Sequence, residues 1–482
     1  MDEVKIRKKA TTGVFWKFAE RFIAQLVSLV VSLVIARLLD PSDYGVVSIV
    51  TIFFTFANVI ISGGLNTALI QKKDADKSDY NTVFSVSIIA SIVIYFFLFV
   101  FAPVIADLYG RNILIPIIRI MGLSLPIYAI KSVVCAYISA NLDFKKFFFA
   151  TIGGTVVSGI VGIILALKGF GPWALVFQQL LNTLIDTIIL IIVTRLKLFF
   201  EINYAKFKGL MKYGARILLS SLLGTTYNQI NPLFIGIRYT SADLSFYTKG
   251  KSLPDTISSS LAYTFSAVLF PMLSKFQDRK EKLLYYTRMY MKIASFLVFP
   301  AMLGFASVAD NFVLVALGSK WLPAVYYIRI VCLSSMFDVV AAGNCETIKA
   351  MGRSDIFLRM EVIKKTGYFI IIAFFIFLSN SPETLAISIL FCTALQILVN
   401  SIPNRKLINY RFKYQLADLL PNFLSSLIMA FVVLIIGTLP LNPIVLLLLQ
   451  IFAGMAVYLI LSFVTHNKAL ILGYQLLKGI RK

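Results

Sequence analysis

The chain has 482 residues, 59% hydrophobic and only 14% charged, with a formal net charge of +23 and a mean hydropathy of +0.85. Soluble chains carry roughly a quarter of their residues charged, so this composition excludes a soluble enzyme. Apolar runs of 20 or more residues recur throughout, which excludes a β-barrel and makes the chain an all-α polytopic membrane protein.

Taken in order, fourteen transmembrane helices are predicted, at about 13–36, 45–69, 82–105, 113–139, 147–167, 171–194, 213–237, 245–272, 286–308, 322–347, 363–379, 384–402, 417–438 and 442–465. The first run is too long for a signal peptide and lacks a small-residue cleavage site. It also holds Lys17, Glu20 and Arg21, although a charge at the bilayer centre costs about 2.5–3.5 kcal/mol on insertion scales. Lys17, Arg21, Gln25, Ser28 and Ser32 follow helical spacing and share one face. Span two repeats the pattern with Ser48, Thr51, Thr55, Asn58 and Ser62. Gly153, Gly154, Gly159 and Gly162 in span five point to close helix packing, and span six carries Gln178, Gln179, Asn182 and Asp186.

Span seven has Arg216, Ser220, Gly224, Asn228 and Asn231 in a stripe, and span eight has Lys249, Ser252, Thr256, Ser259 and Tyr263, with Lys251 alongside. Lipid cannot satisfy such faces, so they belong against a water-filled cavity. Lys17, Arg21, Gln25, Asn58, Arg216, Asn228, Asn231, Lys249 and Lys251 are therefore the expected cavity residues. For single members a plainer role competes. Lys17 can snorkel to the surface, Arg216 can be interfacial, and Lys249 and Lys251 can form a solvated rim. Glu20, Asp186 and Asp338 are the carboxylates available for coupling to a proton or sodium ion, against a purely structural ion pair. The four cysteines show no C-x-x-C spacing and His466 is the one histidine, so no metal or other cofactor is expected. Gly250-Lys251-Ser252 resembles the end of a phosphate-binding loop, but Ser245 stands where its first glycine belongs.

Alternate loops divide the cations unequally. Of the loop lysines and arginines, 31 fall on one side and 5 on the other. By the positive-inside rule both termini are cytoplasmic. The surplus charge is thus a topology signal with affinity for anionic membrane lipids, and nucleic acid is not an expected partner. IRIMGLS (Ile118 to Ser124) returns as IRIVCLS (Ile328 to Ser334), 210 residues later. ARLLDPSDYG from Ala36 resembles IRYTSADLSFY from Ile237, about 201 residues later. The expected organisation is a six-helix lobe over 1–197, a second in parallel orientation over 198–402, and two additional helices with a tail over 403–482. External loops are short, which leaves no place for the chemistry of a glycosyltransferase or polymerase.

VIARLLDPSDYG (Val34 to Gly45), ALIQKKDADKSDYNTVF (Ala68 to Phe84), ANLDFKKF (Ala140 to Phe147), GFGPWALVFQQL (Gly169 to Leu180), SADLSFYTKG (Ser241 to Gly250) and VLFPMLSKFQD (Val268 to Asp278) carry a family resemblance. On these motifs the chain resembles the multidrug/oligosaccharidyl-lipid/polysaccharide exporter superfamily, above all bacterial Wzx-type flippases of the colanic-acid and teichuronic-acid kind. They cover the first two-thirds of the chain. The resemblance implies a cavity open to one side at a time and outward flipping of an undecaprenyl-pyrophosphate-linked repeat unit. It further implies residence in the bacterial cytoplasmic membrane, no enzymatic activity, and polysaccharide polymerase or assembly proteins as neighbours. Where relatives often carry an aspartate in span seven, this chain has Asn231. The competing reading is a cation-coupled drug antiporter of the same superfamily, whose cavity would be acidic and aromatic rather than basic. A membrane glycan polymerase or a structural scaffold is the more remote alternative.

Overall fold

Hydrocarbon tolerates only backbone whose polar groups are bonded internally, and the apolar runs are accordingly helical. A computed structural model describes the backbone of residues 3–62, 64–72, 74–467 and 469–470. Side chains are described for the same residues except 3–15, 17–19, 21, 263–268, 270 and 271. The helices are α1 (Glu3–Leu38), α2 (Pro41–Ser62), α3 (Leu65–Gln71), α4 (Lys77–Leu108), α5 (Leu114–Gly122), α6 (Ser124–Ala140), α7 (Lys145–Leu167), α8 (Pro172–Thr194) and α9 (Tyr204–Arg238). They continue with α10 (Ser241–Ser274), α11 (Lys280–Ala316), α12 (Ala324–Ser335), α13 (Asp338–Ala350), α14 (Ser354–Leu378), α15 (Pro382–Leu407), α16 (Phe412–Ile436) and α17 (Pro443–Val464). Among the described residues there is no strand.

Each of the fourteen expected spans falls on helix, with three of them broken. The span expected at 45–69 breaks beside Gly64, which sits at the start of α3; glycine in a helix interior costs about 1 kcal/mol relative to alanine. The span expected at 113–139 breaks at Leu123, three residues before Pro126, which sits in the first turn of α6. The span expected at 322–347 breaks at Met336 and Phe337 without a proline. Leu114 and Ala324 open the two broken pairs and Ala140 and Ala350 close them, both 210 residues apart. Pro172 and Pro382, each in the first turn of its helix, keep the same interval. The internal repeat read from IRIMGLS therefore extends over three consecutive spans.

Among the described residues, ten helical stretches are long and apolar enough to cross a membrane. The helices outside that set are α9, α10, α14 and α1, whose described side chains form a shorter apolar stretch, Phe22–Leu38. Three of these four are the ones on which the sequence places cationic stripes.

The chain divides into two compact units, residues 1–245 and 246–482. In the first, α7 packs between α1 and α8. Its glycines permit this approach: Gly159 lies against Val31 of α1, and Gly162 against Gln178 of α8 and Ile35 of α1. Helix α9 packs on α2, α3 and α4. The segment joining α8 to α9 is held along the start of α4. The amides of Phe199, Glu201 and Asn203 donate to Asn81, Ser85 and Thr82, while Lys206 bonds Asp76 at 2.6 Å. That lysine, with the amide of Asp79, holds the Asp76 carboxyl down at about 2. The KKDADKSDYN stretch is thus a clasp for the connecting segment.

In the second unit α11 packs against α12, α16 and α17. Of the two additional spans, α16 is tied to α11 by charge. Arg288 of α11 forms a bidentate pair with Asp418 of α16 at 2.7 and 2.9 Å. Lys292 and the Tyr410 hydroxyl also reach Asp418.

Candidate functional site

The first unit contains a polar core inside its apolar helices. Trp16 packs edge-on against Phe148 of α7 at 5.1 Å. Glu20, one turn later on the same helix row, is buried, and its Oε1 accepts from the Thr151 hydroxyl at 3.3 Å. Glu20 thus belongs to the face that packs on α7. The side chains of Lys17 and Arg21 lie outside the described residues. Gln25 is half-buried.

Asp186 of α8 is 3% exposed and pairs with Lys131 of α6 at 2.6 Å. Its Oδ1 has no hydrogen-bond partner among the described residues. That oxygen lies so close to Gly154 that a Cβ there would approach to 1.8 Å. Asn182, one turn before Asp186, donates to Ser158 of α7 at 3.3 Å. Lys131 is a residue that the sequence reading missed. A lysine inside the apolar run 113–139 was its signal, but the partner sits 55 residues away and no local spacing reveals it.

Nearby, α2, α5, α6 and α8 enclose a cavity of about 110 Å³. Thr51, Thr55 and Asn58 of the α2 stripe line it, opposite Gln179 and Thr183 of α8. The Thr51 and Thr55 hydroxyls bond back to their own helix, whereas the Asn58 Oδ1 is buried with no partner among the described residues. The α2 stripe is bracketed by two backbone contacts. At its outer end a Cβ on Gly45 would meet the Ser241 carbonyl oxygen at 1.7 Å, and below it a Cβ on Gly64 would meet that of Gly214 at 2.2 Å. On α9, Arg216 and Asn228 are exposed and Asn231 is buried.

The second unit carries its own group of ionisable residues. Lys249 of α10 is 7% exposed and Lys251 half-buried. Gly250 between them packs α10 onto α12, where a Cβ would meet Tyr327 at 2.6 Å. The glycine of the Gly-Lys-Ser sequence thus serves helix packing. Asp338 opens α13, accepts weakly from Ser258 at 3.4 Å, and lies in the field of Asp255 and Lys251. Asp255 is a second residue the sequence reading missed. Arg329 is ion-paired with Asp310, and Arg119 stacks over Phe99 at 4.3 Å, so the twin arginines of the repeat serve local contacts.

No group of His, Cys, Asp and Glu suited to a metal ion occurs among the described residues. The arrangement can hold anions on cationic side chains, and it keeps carboxylates paired or hydrogen-bonded within each unit.

Known proteins resemble this chain along most of its length. An uncharacterized membrane protein in the cps region of Klebsiella pneumoniae is 23% identical over 97% of both chains. The succinoglycan biosynthesis transport protein ExoT of Rhizobium meliloti is 22% identical over 74% of this chain and 72% of its own. Among solved structures, the lipid II flippase MurJ in an inward closed conformation superposes with a TM-score of 0.76 at 15% identity, covering 94% of this chain and 99% of its own. This all-α fold, with ten stretches long and apolar enough to cross a membrane among the described residues, is the polytopic helical class expected from the sequence. The family described as "Polysaccharide biosynthesis protein" matches residues 34–326, and the chain belongs to that family.

Proposed function

We propose that the protein is a flippase that carries an undecaprenyl-pyrophosphate-linked oligosaccharide from the inner to the outer leaflet of the bacterial cytoplasmic membrane, by alternating access through a basic central cavity. The observation that carries this reading is the distribution of polarity. Among the described residues, α9 and α10 hold no stretch long and apolar enough to cross a membrane, and with α1 they carry the stripes with Arg21, Arg216, Lys249 and Lys251. Such helices are retained where they replace the water that a sugar and a pyrophosphate lose on leaving solution. The names of relatives, one a transport protein in polysaccharide biosynthesis and one a lipid II flippase by fold, agree with a polar headgroup on a lipid as cargo.

The physics of the step is electrostatic. Arginine and lysine hold phosphate through charge-assisted hydrogen bonds, while the prenyl chain stays in the bilayer. A membrane potential that is negative inside drives an anion outward at about 2.3 kcal/mol per charge per 100 mV, so a headgroup near −2 gains roughly 4–5 kcal/mol. Lys131 already supplies Asp186 with a fixed cation, which supports export without a mobile coupling ion at that carboxylate. Asp338, hydrogen-bonded but without an ion pair among the described residues, is the better placed of the two for a proton or sodium ion. The cationic stripes speak against the drug-antiporter reading. Polymerases and assembly proteins of the same polysaccharide are the proposed neighbours.

Surface polysaccharide in cells lacking the chromosomal copy tests the role of the stripe. Arg21→Ala is expected to reduce export at least tenfold and Arg21→Lys to retain part of it, with membrane insertion checked for both. Full export by well-inserted Arg21→Ala protein would remove the principal anion ligand from the account.

A further inference from the structure

The stretch IPNRKLINYRFKYQL, from Ile402 to Leu416, turns the chain from α15 into α16. Three features fix that turn. Asn409 takes a left-handed backbone with φ of 57°, a conformation asparagine tolerates better than other non-glycine residues. Tyr410 is fully buried, with its amide bonded to the Asn404 carbonyl at 3.0 Å and its hydroxyl to Asp418 at 2.9 Å. Gln415 donates to the Tyr410 carbonyl and accepts from Ser401 and Asn344. With Tyr410 driven inward, its neighbours are left at the surface. Arg405, Arg411 and Lys413 surround a cavity of about 380 Å³ whose remaining walls are Leu398, Ile402, Phe412 and Ser401.

That cavity combines two kinds of surface. Its cations belong to the loops assigned to the cytoplasmic side, and no acidic residue lines it among the described residues. Arg411, at the N-cap of α16, makes no side-chain cap bond; the Tyr414 amide bonds the Arg411 carbonyl, which leaves the Phe412 and Lys413 amides for an outside acceptor. Leu398, Ile402 and Phe412 are 51%, 65% and 49% exposed, a set of large apolar side chains open beside the cations. An inorganic anion has no use for that wall, and a neutral lipid has none for three cations. An anionic lipid uses both.

We infer that the α15–α16 turn is a binding site for an anionic phospholipid of the inner leaflet, its phosphate held by Arg405, Arg411 and Lys413 and one acyl chain laid over Leu398, Ile402 and Phe412. The site is separate from the stripes proposed to carry the cargo. Its place on α16, which Asp418 ties to α11, lets lipid composition act on the second unit.

The test is native mass spectrometry of the full-length protein from micelles doped with phosphatidylglycerol or with phosphatidylcholine of the same acyl chains. The wild-type protein is expected to retain phosphatidylglycerol preferentially. The triple variant Arg405→Gln/Arg411→Gln/Lys413→Gln is expected to lose that retention at least tenfold. A control triple variant on the same side, Lys275→Gln/Arg279→Gln/Lys280→Gln, is expected to keep it, and Arg411→Gln alone provides a readout should the triple variant fail to fold. Glycerol 3-phosphate, a headgroup without chains, is expected not to displace the lipid. Equal retention of the two lipids, equal loss in the control variant, or displacement by glycerol 3-phosphate would each overturn the assignment.

Discussion

Replacing Lys131 by methionine is expected to destabilise the first unit by about 3–5 kcal/mol, the usual cost of stripping one partner from a buried ion pair. Asp186 is 3% exposed and its Oδ1 has no hydrogen-bond partner among the described residues. Without the ammonium at 2.6 Å, the carboxylate keeps only a buried and crowded environment. Asp186→Asn should be milder, because the Lys131 side chain remains 24% exposed and retains access to solvent. The double variant Lys131→Met/Asp186→Leu should recover most of the lost stability, since an apolar pair of similar volume is often neutral or better in place of a buried ion pair. Thermal unfolding in detergent reads all three. Export by the double variant then separates two roles for Asp186. Retained export fits a fixed pair, and loss of export from a stable double variant assigns coupling to this carboxylate.

Alanine at Gly45 is expected to destabilise by about 1–3 kcal/mol, the range for overpacking a filled interior. Its Cβ would stand 1.7 Å from the Ser241 carbonyl oxygen and 2.3 Å from the carbonyl carbon. Backbone atoms cannot rotate aside as a side chain would, so the two segments must separate. Gly64→Ala should act in the same direction against Gly214, at 2.2 Å. The same exchange at Gly209 or Gly224 meets nothing within 4 Å and should stabilise α9 by about 0.5–1 kcal/mol through helix propensity alone. The opposite signs, measured on one protein by one method, isolate contact from propensity. Because the two tight contacts bracket the Thr51, Thr55 and Asn58 stripe, export should fall in the Gly45 and Gly64 variants and not in Gly209→Ala.

The sequence was most legible where a single segment carries the signal. Hydropathy locates the spans because each must satisfy its own backbone. The 210-residue interval in IRIMGLS and IRIVCLS recurs in the helix bounds, down to the prolines at 172 and 382. The double glycine at 63 and 64 foretells a break, yet the run is apolar on both sides and reads as one span. The break at Met336 and Phe337 has no Pro or Gly to announce it.

Pairing between distant segments was not legible. Lys131 finds Asp186 across 55 residues and Arg288 finds Asp418 across 130, so each charge read alone looks like a lipid-exposed liability or a cavity ligand. Glu20 shows that neighbours in sequence need not share a helix face. It is sequence neighbour to Arg21, but a helix turns about 100° per residue, and its row faces Thr151 and α7.

The central claim is that this protein moves a pyrophosphate-linked oligosaccharide lipid across the bilayer, with the cargo's own charge as part of the driving force. Proteoliposomes loaded with undecaprenyl-pyrophosphate-linked oligosaccharide test it, with headgroup access measured on both faces and a potassium diffusion potential imposed. The expected result is protein-dependent transfer whose outward share rises when the donor side is made negative. Transfer no faster than in protein-free vesicles, or transfer indifferent to the potential and to the pyrophosphate, would contradict it.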